Sequence, residues 1–125
     1  MPAQRTNVLM VEDEILISSL ISEVLSESGF AVHAVAAGED ALRYIESGAT
    51  VDVLFTDINL LGPMDGSVLA RAVRARRPEL PIVYCSGCYS PSALTPPVPR
   101  SLFVKKPYNP ADLCQLLARL TATSH

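Results

Sequence analysis

Five short apolar runs rich in Val, Leu, Ile and Phe recur along the chain, and most are followed by a stretch with helical periodicity. This alternation limits the fold more than any other feature. Strands joined through helices cannot pair as tight hairpins, and right-handed crossovers place the helices on both faces of a parallel sheet. The runs are Asn7-Val8-Leu9-Met10-Val11, Phe30-Ala31-Val32-His33-Ala34-Val35, Val51-Asp52-Val53-Leu54-Phe55-Thr56-Asp57, Pro81-Ile82-Val83-Tyr84-Cys85 and Leu102-Phe103-Val104-Lys105. After the first, Ile15, Leu16, Ile17, Leu20, Ile21, Val24 and Leu25 recur at helical spacing up to a stop at Gly29. A second helix, Glu39 to Ser47, carries Ala41, Leu42 and Ile45 and closes at Gly48; a third runs from about Ser67 to Arg76 and stops before Pro78. Asn109 and Pro110 give an N-cap and a first-turn proline to a last helix faced by Leu113, Leu116, Leu117 and Leu120. The expected class is α/β, a doubly wound five-stranded parallel sheet.

The alternation falters once, where Pro91, Pro96, Pro97 and Pro99 crowd the place of a fourth helix. Proline inside a helix costs about 3 kcal/mol, so that helix is expected to be irregular or shortened.

The chain's 125 residues, 49% hydrophobic and 18% charged, suit a single domain over residues 1–125. A net charge of −3 gives no broad nucleic-acid footprint, and Arg71, Arg74, Arg76 and Arg77 read as a solvated helix face, so no DNA partner is expected. No apolar run approaches the roughly 20 residues of a membrane span, and Met1-Pro2-Ala3-Gln4-Arg5-Thr6 lacks a signal-peptide core; a cytoplasmic protein is expected. Three cysteines are an odd count for a disulfide framework. Cys85 and Cys88 have C-x-x-C spacing, but they follow a strand into proline-rich chain and lack the helix N-terminus that stabilises a thiolate. His33 reads as an ordinary strand residue.

In sheets of this kind ligands bind beyond the carboxyl ends of the strands. The residues expected there are Glu12, Asp13, Asp57, Ser86 and Lys106. Neighbouring carboxylates repel and call for a shared proton or a hard cation; Mg2+ fits best, since it takes oxygen ligands from one or two carboxylates plus phosphate and water. Asp57, ending a buried run, is a candidate carboxylate nucleophile able to form an acyl phosphate. Lys106 would supply a cation to the transferred phosphoryl group and Ser86 a hydroxyl donor, with Gly87 leaving room beside it. Lys105 is the second choice of lysine, since it alternates to the other side of the strand.

With these residues in place, the whole chain resembles the receiver domain of bacterial two-component response regulators. The resemblance implies a flavodoxin-like strand order 2-1-3-4-5 and a signalling switch rather than an enzyme. It implies that a sensor histidine kinase supplies a phosphoryl group to Asp57, that the protein promotes its own phosphorylation and dephosphorylation, and that partner binding changes as a result. It also implies Mg2+ held by Asp13, Asp57 and the carbonyl of Asn59, with Glu12 acting through water. Ser86 would be the switch hydroxyl, Phe103 the switch aromatic, and Lys106 the family's lysine, its bond to Pro107 often cis. Tyr84-Cys85-Ser86-Gly87-Cys88-Tyr89 is similar to the Phe-Ala-Thr-Gly-x-Tyr signature of an atypical subgroup, with Tyr84, Cys85 and Ser86 standing for Phe, Ala and Thr. Asp57-Ile58-Asn59-Leu60 with Met64-Asp65-Gly66 is similar to its phosphorylation loop. The subgroup implies a degraded fourth helix and an HWE-type kinase. With four prolines in place of that helix, a standard dimer through this face is not expected; an irregular segment over residues 90–100 that orders when Asp57 is phosphorylated is expected instead.

The alternative role within this resemblance is a phosphate sink, or a relay to a histidine phosphotransfer protein. Two other classes share the architecture. A flavodoxin-like flavin binder would place a phosphate after the first strand, where Glu12-Asp13-Glu14 would repel it. A haloacid-dehalogenase-type phosphatase needs a second aspartate two positions beyond its nucleophile, and that position is Asn59.

Overall fold

The computed structural model describes residues 5–60, 62–86 and 98–122. One parallel sheet contains β1 (Asn7–Val11), β2 (Ala31–Val35), β3 (Val53–Asp57), β4 (Ile82–Ser86) and β5 (Ser101–Lys105), in the order β2-β1-β3-β4-β5. The described helices are α1 (Ile15–Glu27), α2 (Gly38–Glu46), α3 (Gly66–Arg76) and α4 (Pro110–Ala122). The irregular helix expected between the fourth and fifth strands falls mainly on residues 87–97, outside the described residues, as does most of the 90–100 segment expected to order on phosphorylation.

Alternation along the strands builds two cores. Leu9, Val11, Leu54, Ile82 and Tyr84 pack with Ala41 and Ile45 of α2 and Leu69, Ala70 and Val73 of α3. Val8, Met10, Val53, Phe55, Val83 and Cys85 pack with Ile21 and Leu25 of α1 and Leu113 and Leu117 of α4. Both faces of the central strands are therefore dry, which is why those strands read as continuous apolar runs rather than as alternating ones. The third strand starts at Val53, two residues later than its apolar run. Asp52 is held outside the strand: its carboxylate accepts the Asn7 backbone N–H at 2.7 Å and the Asn7 side chain at 3.3 Å.

The seven apolar residues at helical spacing in α1 are too many for one buried stripe. Ile21 and Leu25 are buried and Ile17 packs beside them, whereas Ile15, Leu16 and Leu20 lie in solvent. At the sheet's edge, the His33 ring stacks on Tyr44 with centroids 3.8 Å apart, which accounts for this histidine as a strand residue packed on α2.

Two further contacts fix the ends of elements, one at each edge of the sheet. Arg74 of α3 donates to the carbonyls of Pro99 (2.6 and 3.1 Å) and Arg77 (2.7 Å), tying the chain entering β5 to the end of α3. At the start of α3, the Asp65 carboxylate accepts Val68 N–H at 2.9 Å as an N-cap, and Gly66 N–H bonds Ile58 carbonyl at 2.9 Å. A Cβ on Gly66 would sit 2.8 Å from Ile58 Cα and press on the carbonyl oxygen of Asp57. Glycine is required there for close approach rather than for an unusual φ. Gly66→Ala is expected to cost about 1–3 kcal/mol by overpacking although Ala favours a helix, while Asp65→Ala costs about 1 kcal/mol through the lost cap. Urea unfolding of the two variants checks the order.

Candidate functional site

The parallel register brings the chemistry to one edge. Val11 lies opposite Thr56, Asp57 opposite Cys85, and Ser86 opposite Lys105. The loop after β1, the end of β3, the end of β4 and the residue after β5 therefore leave the sheet side by side. Asp57, buried at the tip of β3, accepts the Lys106 ammonium on Oδ2 at 2.6 Å and the Asn59 backbone N–H on Oδ1 at 3.0 Å. Lys106 Nζ also lies 3.7 Å from Glu12 Oε1, and the other Glu12 oxygen accepts Glu14 N–H at 3.0 Å. Lys105 is exposed; Lys106 is the lysine that reaches the carboxylates. The Lys106-Pro107 peptide is cis.

Ser86 is fully buried, and its hydroxyl accepts the Asn59 carboxamide Nδ2 at 3.3 Å. Asp13 is half-buried, and its charge is among those acting on Glu12. Phe103 is half-buried opposite Tyr84, packed against the core on the α2 and α3 side. The structure thus joins Glu12, Asp57 and Lys106 directly and links Ser86 to Asp57 through Asn59. Phe103 stands apart, three positions earlier on β5.

Burial pushes the Glu12 carboxyl up, against the Glu14 N–H and the Lys106 charge, which hold it down; Asp57 and Asp13 add to the rise. Burial alone would lower Lys106, but the hydrogen bond to Asp57 and the surrounding negative charge override it and leave the ammonium raised. Cys85 is buried and its thiol is pushed up to about 12, chiefly by burial, so it is a core residue with almost no thiolate near neutrality. Cys88 lies outside the described residues.

The donors at this edge are all oxygens: the carboxylates of Glu12, Asp13 and Asp57 and the carbonyl of Asn59. Against these three carboxylates Lys106 supplies one positive charge. Among the described residues no three His, Cys, Asp or Glu side chains form a ready-made cage. Mg2+ requires none, since it uses one or two carboxylates and completes its shell with water and phosphate. The donor set fits that ion.

The response regulator receiver domain model matches residues 8–118. The chain belongs to the receiver family. This receiver is 32% identical to a response regulator receiver protein from Sinorhizobium medicae, with a TM-score of 0.90 over 98% of each chain. It is 30% identical to the chemotaxis protein CheY4 of Vibrio cholerae, with a TM-score of 0.84 over 94% of this chain and 99% of that one. Over 106 residues it is 32% identical to the sensor kinase CckA of Brucella abortus, covering 82% of this chain and 11% of CckA. The receiver spans between 11% and 29% of the length of the first curated relatives it matches.

Two contributions escape a reading by residue type. Gly66 enters the sequence as part of a turn, and only the fold shows it backed against Asp57. Asn59 attracts attention for its backbone carbonyl, whereas its side chain also bonds Ser86 across 27 residues of chain.

The Lys106→Ala receiver isolates the electrostatics. Without the ammonium, Glu12 rises further above its ordinary value of 4.5, so folding takes up a proton between 4.5 and that higher value. A carboxyl raised in the folded state contributes stability that is present below its unfolded pKa and is lost as pH rises through the folded one. The variant's deficit against wild type is expected to be small near pH 4 and to grow toward pH 7, read from urea midpoints across that range.

Proposed function

We propose that this receiver is a phosphoryl-accepting switch with Asp57 as the acceptor. The observation that carries the reading is the Asp57 carboxylate at the sheet's carboxyl edge, with Lys106 2.6 Å from one oxygen and an N–H 3.0 Å from the other. An Asp57 carboxylate oxygen attacks the phosphorus of a phosphohistidine; the new O–P bond forms as the P–N bond breaks, and the imidazole leaves with the electron pair and takes up a proton. Lys106 neutralises charge on the carboxylate and on the incoming phosphoryl oxygens, and Ser86 donates to one of those oxygens once the group is in place. Asp13, Asp57 and the Asn59 carbonyl would hold Mg2+, with Glu12 acting through water; the ion would offset phosphoryl charge. Phe103 follows Ser86 as the aromatic whose position reports the change to a partner.

With Mg2+ and a labelled small acyl phosphate such as acetyl phosphate, wild type is expected to take up hydroxylamine-sensitive label and Asp57→Asn none. Label retained in Asp57→Asn would sink the reading.

The donor we propose is a sensor histidine kinase, of the HWE class on the likeness of the Tyr84 to Tyr89 stretch. A donor histidine must come within bonding distance of Asp57, so its domain covers the rim of the site. That rim includes the start of α1, where Ile15 is 77% exposed, Leu16 84% and Leu20 58%. Apolar side chains left in solvent beside the acids suit a helical donor domain with an apolar face. Because the likeness to CckA is to part of a sensor kinase, a second reading is a relay in which the same face meets a histidine phosphotransfer protein. Burying one leucine contributes roughly 1.5–3 kcal/mol, so Leu16→Glu should slow transfer from the kinase by about tenfold or more. Labelling by acetyl phosphate should be unchanged. Equal slowing from both donors would place Leu16 in the chemistry rather than in docking.

A further inference from the structure

Asn59 forms two hydrogen bonds that point in different directions. Its backbone N–H holds Asp57 Oδ1 at 3.0 Å, and its carboxamide holds the Ser86 hydroxyl at 3.3 Å. Asn59 is exposed while Ser86 is fully buried, so a surface side chain reaches inward to fix a buried hydroxyl. The bond is already long for an N–H···O contact, so a small displacement of the Ser86 oxygen away from Asn59 is enough to break it.

The two bonds respond to the same event. A carboxylate is a strong, charged acceptor; when one Asp57 oxygen becomes the bridging oxygen of an acyl phosphate, the carboxyl group loses its charge and both oxygens become weaker acceptors. Phosphorylation then loosens Asn59 at its backbone and draws Ser86 away from its side chain. We propose that the Asn59 carboxamide is a latch on Ser86, stabilising the unphosphorylated position of the hydroxyl and making its release part of the switch. The inference rests on the phosphoacceptor reading above and adds a positioning residue to it. It concerns the side chain alone, since the backbone N–H and carbonyl of residue 59 serve Asp57 and the proposed cation whatever side chain is present.

Asn59→Ala keeps both backbone groups and alters an exposed side chain, so the folded receiver can be compared directly with wild type. The probe is beryllofluoride with Mg2+, titrated into wild type, Asn59→Ala, Ser86→Ala and the double variant while backbone resonances are followed. Removal of one hydrogen bond from the unswitched state should tighten binding by about fivefold in Asn59→Ala. In the absence of beryllofluoride, the Ser86 resonance of that variant should shift toward its bound position. In the Ser86→Ala background, Asn59→Ala should change affinity by less than about twofold, because the latch has nothing to hold. Unchanged binding in Asn59→Ala, or an equal change in both backgrounds, overturns the latch; the second result would mean that Asn59 acts on the phosphoryl site itself. A wild-type receiver that binds no beryllofluoride removes the phosphoacceptor reading and the latch together.

Discussion

The contact on which the carboxyl edge depends is that between the Lys106 ammonium and Asp57, 2.6 Å apart. Glu12, Asp13 and Asp57 are brought together by the sheet, and like charges at such separations repel strongly in a partly buried setting. A single ammonium between Asp57 and Glu12 makes the cluster tolerable without neutralising it. The excess negative charge is what equips this edge to attract a hard cation. An additional lysine would have relieved the repulsion more fully and removed that capacity.

The ammonium reaches this position because of the strand order. β5 is an edge strand beside β4, and β4 lies next to β3, so Lys106 is two strands away from the carboxylate it pairs with. The register that aligns Asp57 with Cys85 and Ser86 with Lys105 is fixed by two dry cores, one on each face of the sheet. A slip of one residue would exchange the two sets of side chains on each central strand, forcing residues shaped for one core into the other. The chemistry at the edge therefore takes its precision from the packing beneath it.

The parts legible in the sequence were those governed by periodicity and by strand ends. Buried runs such as Leu9 to Val11 and Val53 to Phe55 announce strands because both faces are covered, and the ligand rule for parallel sheets then selects Glu12, Asp13, Asp57, Ser86 and Lys106 without coordinates. What stayed hidden depends on distance rather than residue type. Nothing local in Asp52 reveals that its carboxylate is taken by Asn7, which delays β3. Seven apolar residues in α1 do not say which of them the sheet will cover, and only the packing separates Ile21 and Leu25 from Leu16 and Leu20. The side-chain role of Asn59 is a contact between loops far apart in sequence, and no spacing encodes it.

The Arg74 guanidinium has a further consequence. By gripping the carbonyl of Pro99 it ties the entry to β5 to the C-terminal end of α3, at the amino edge of the sheet and opposite the edge that carries Ser86. Lys106 lies seven residues beyond Pro99, so this tie adds to the β4–β5 register in fixing where the strand delivers its ammonium. A grip at the amino edge of the sheet thus helps to hold an ammonium one strand length away, beside Asp57 at the other edge.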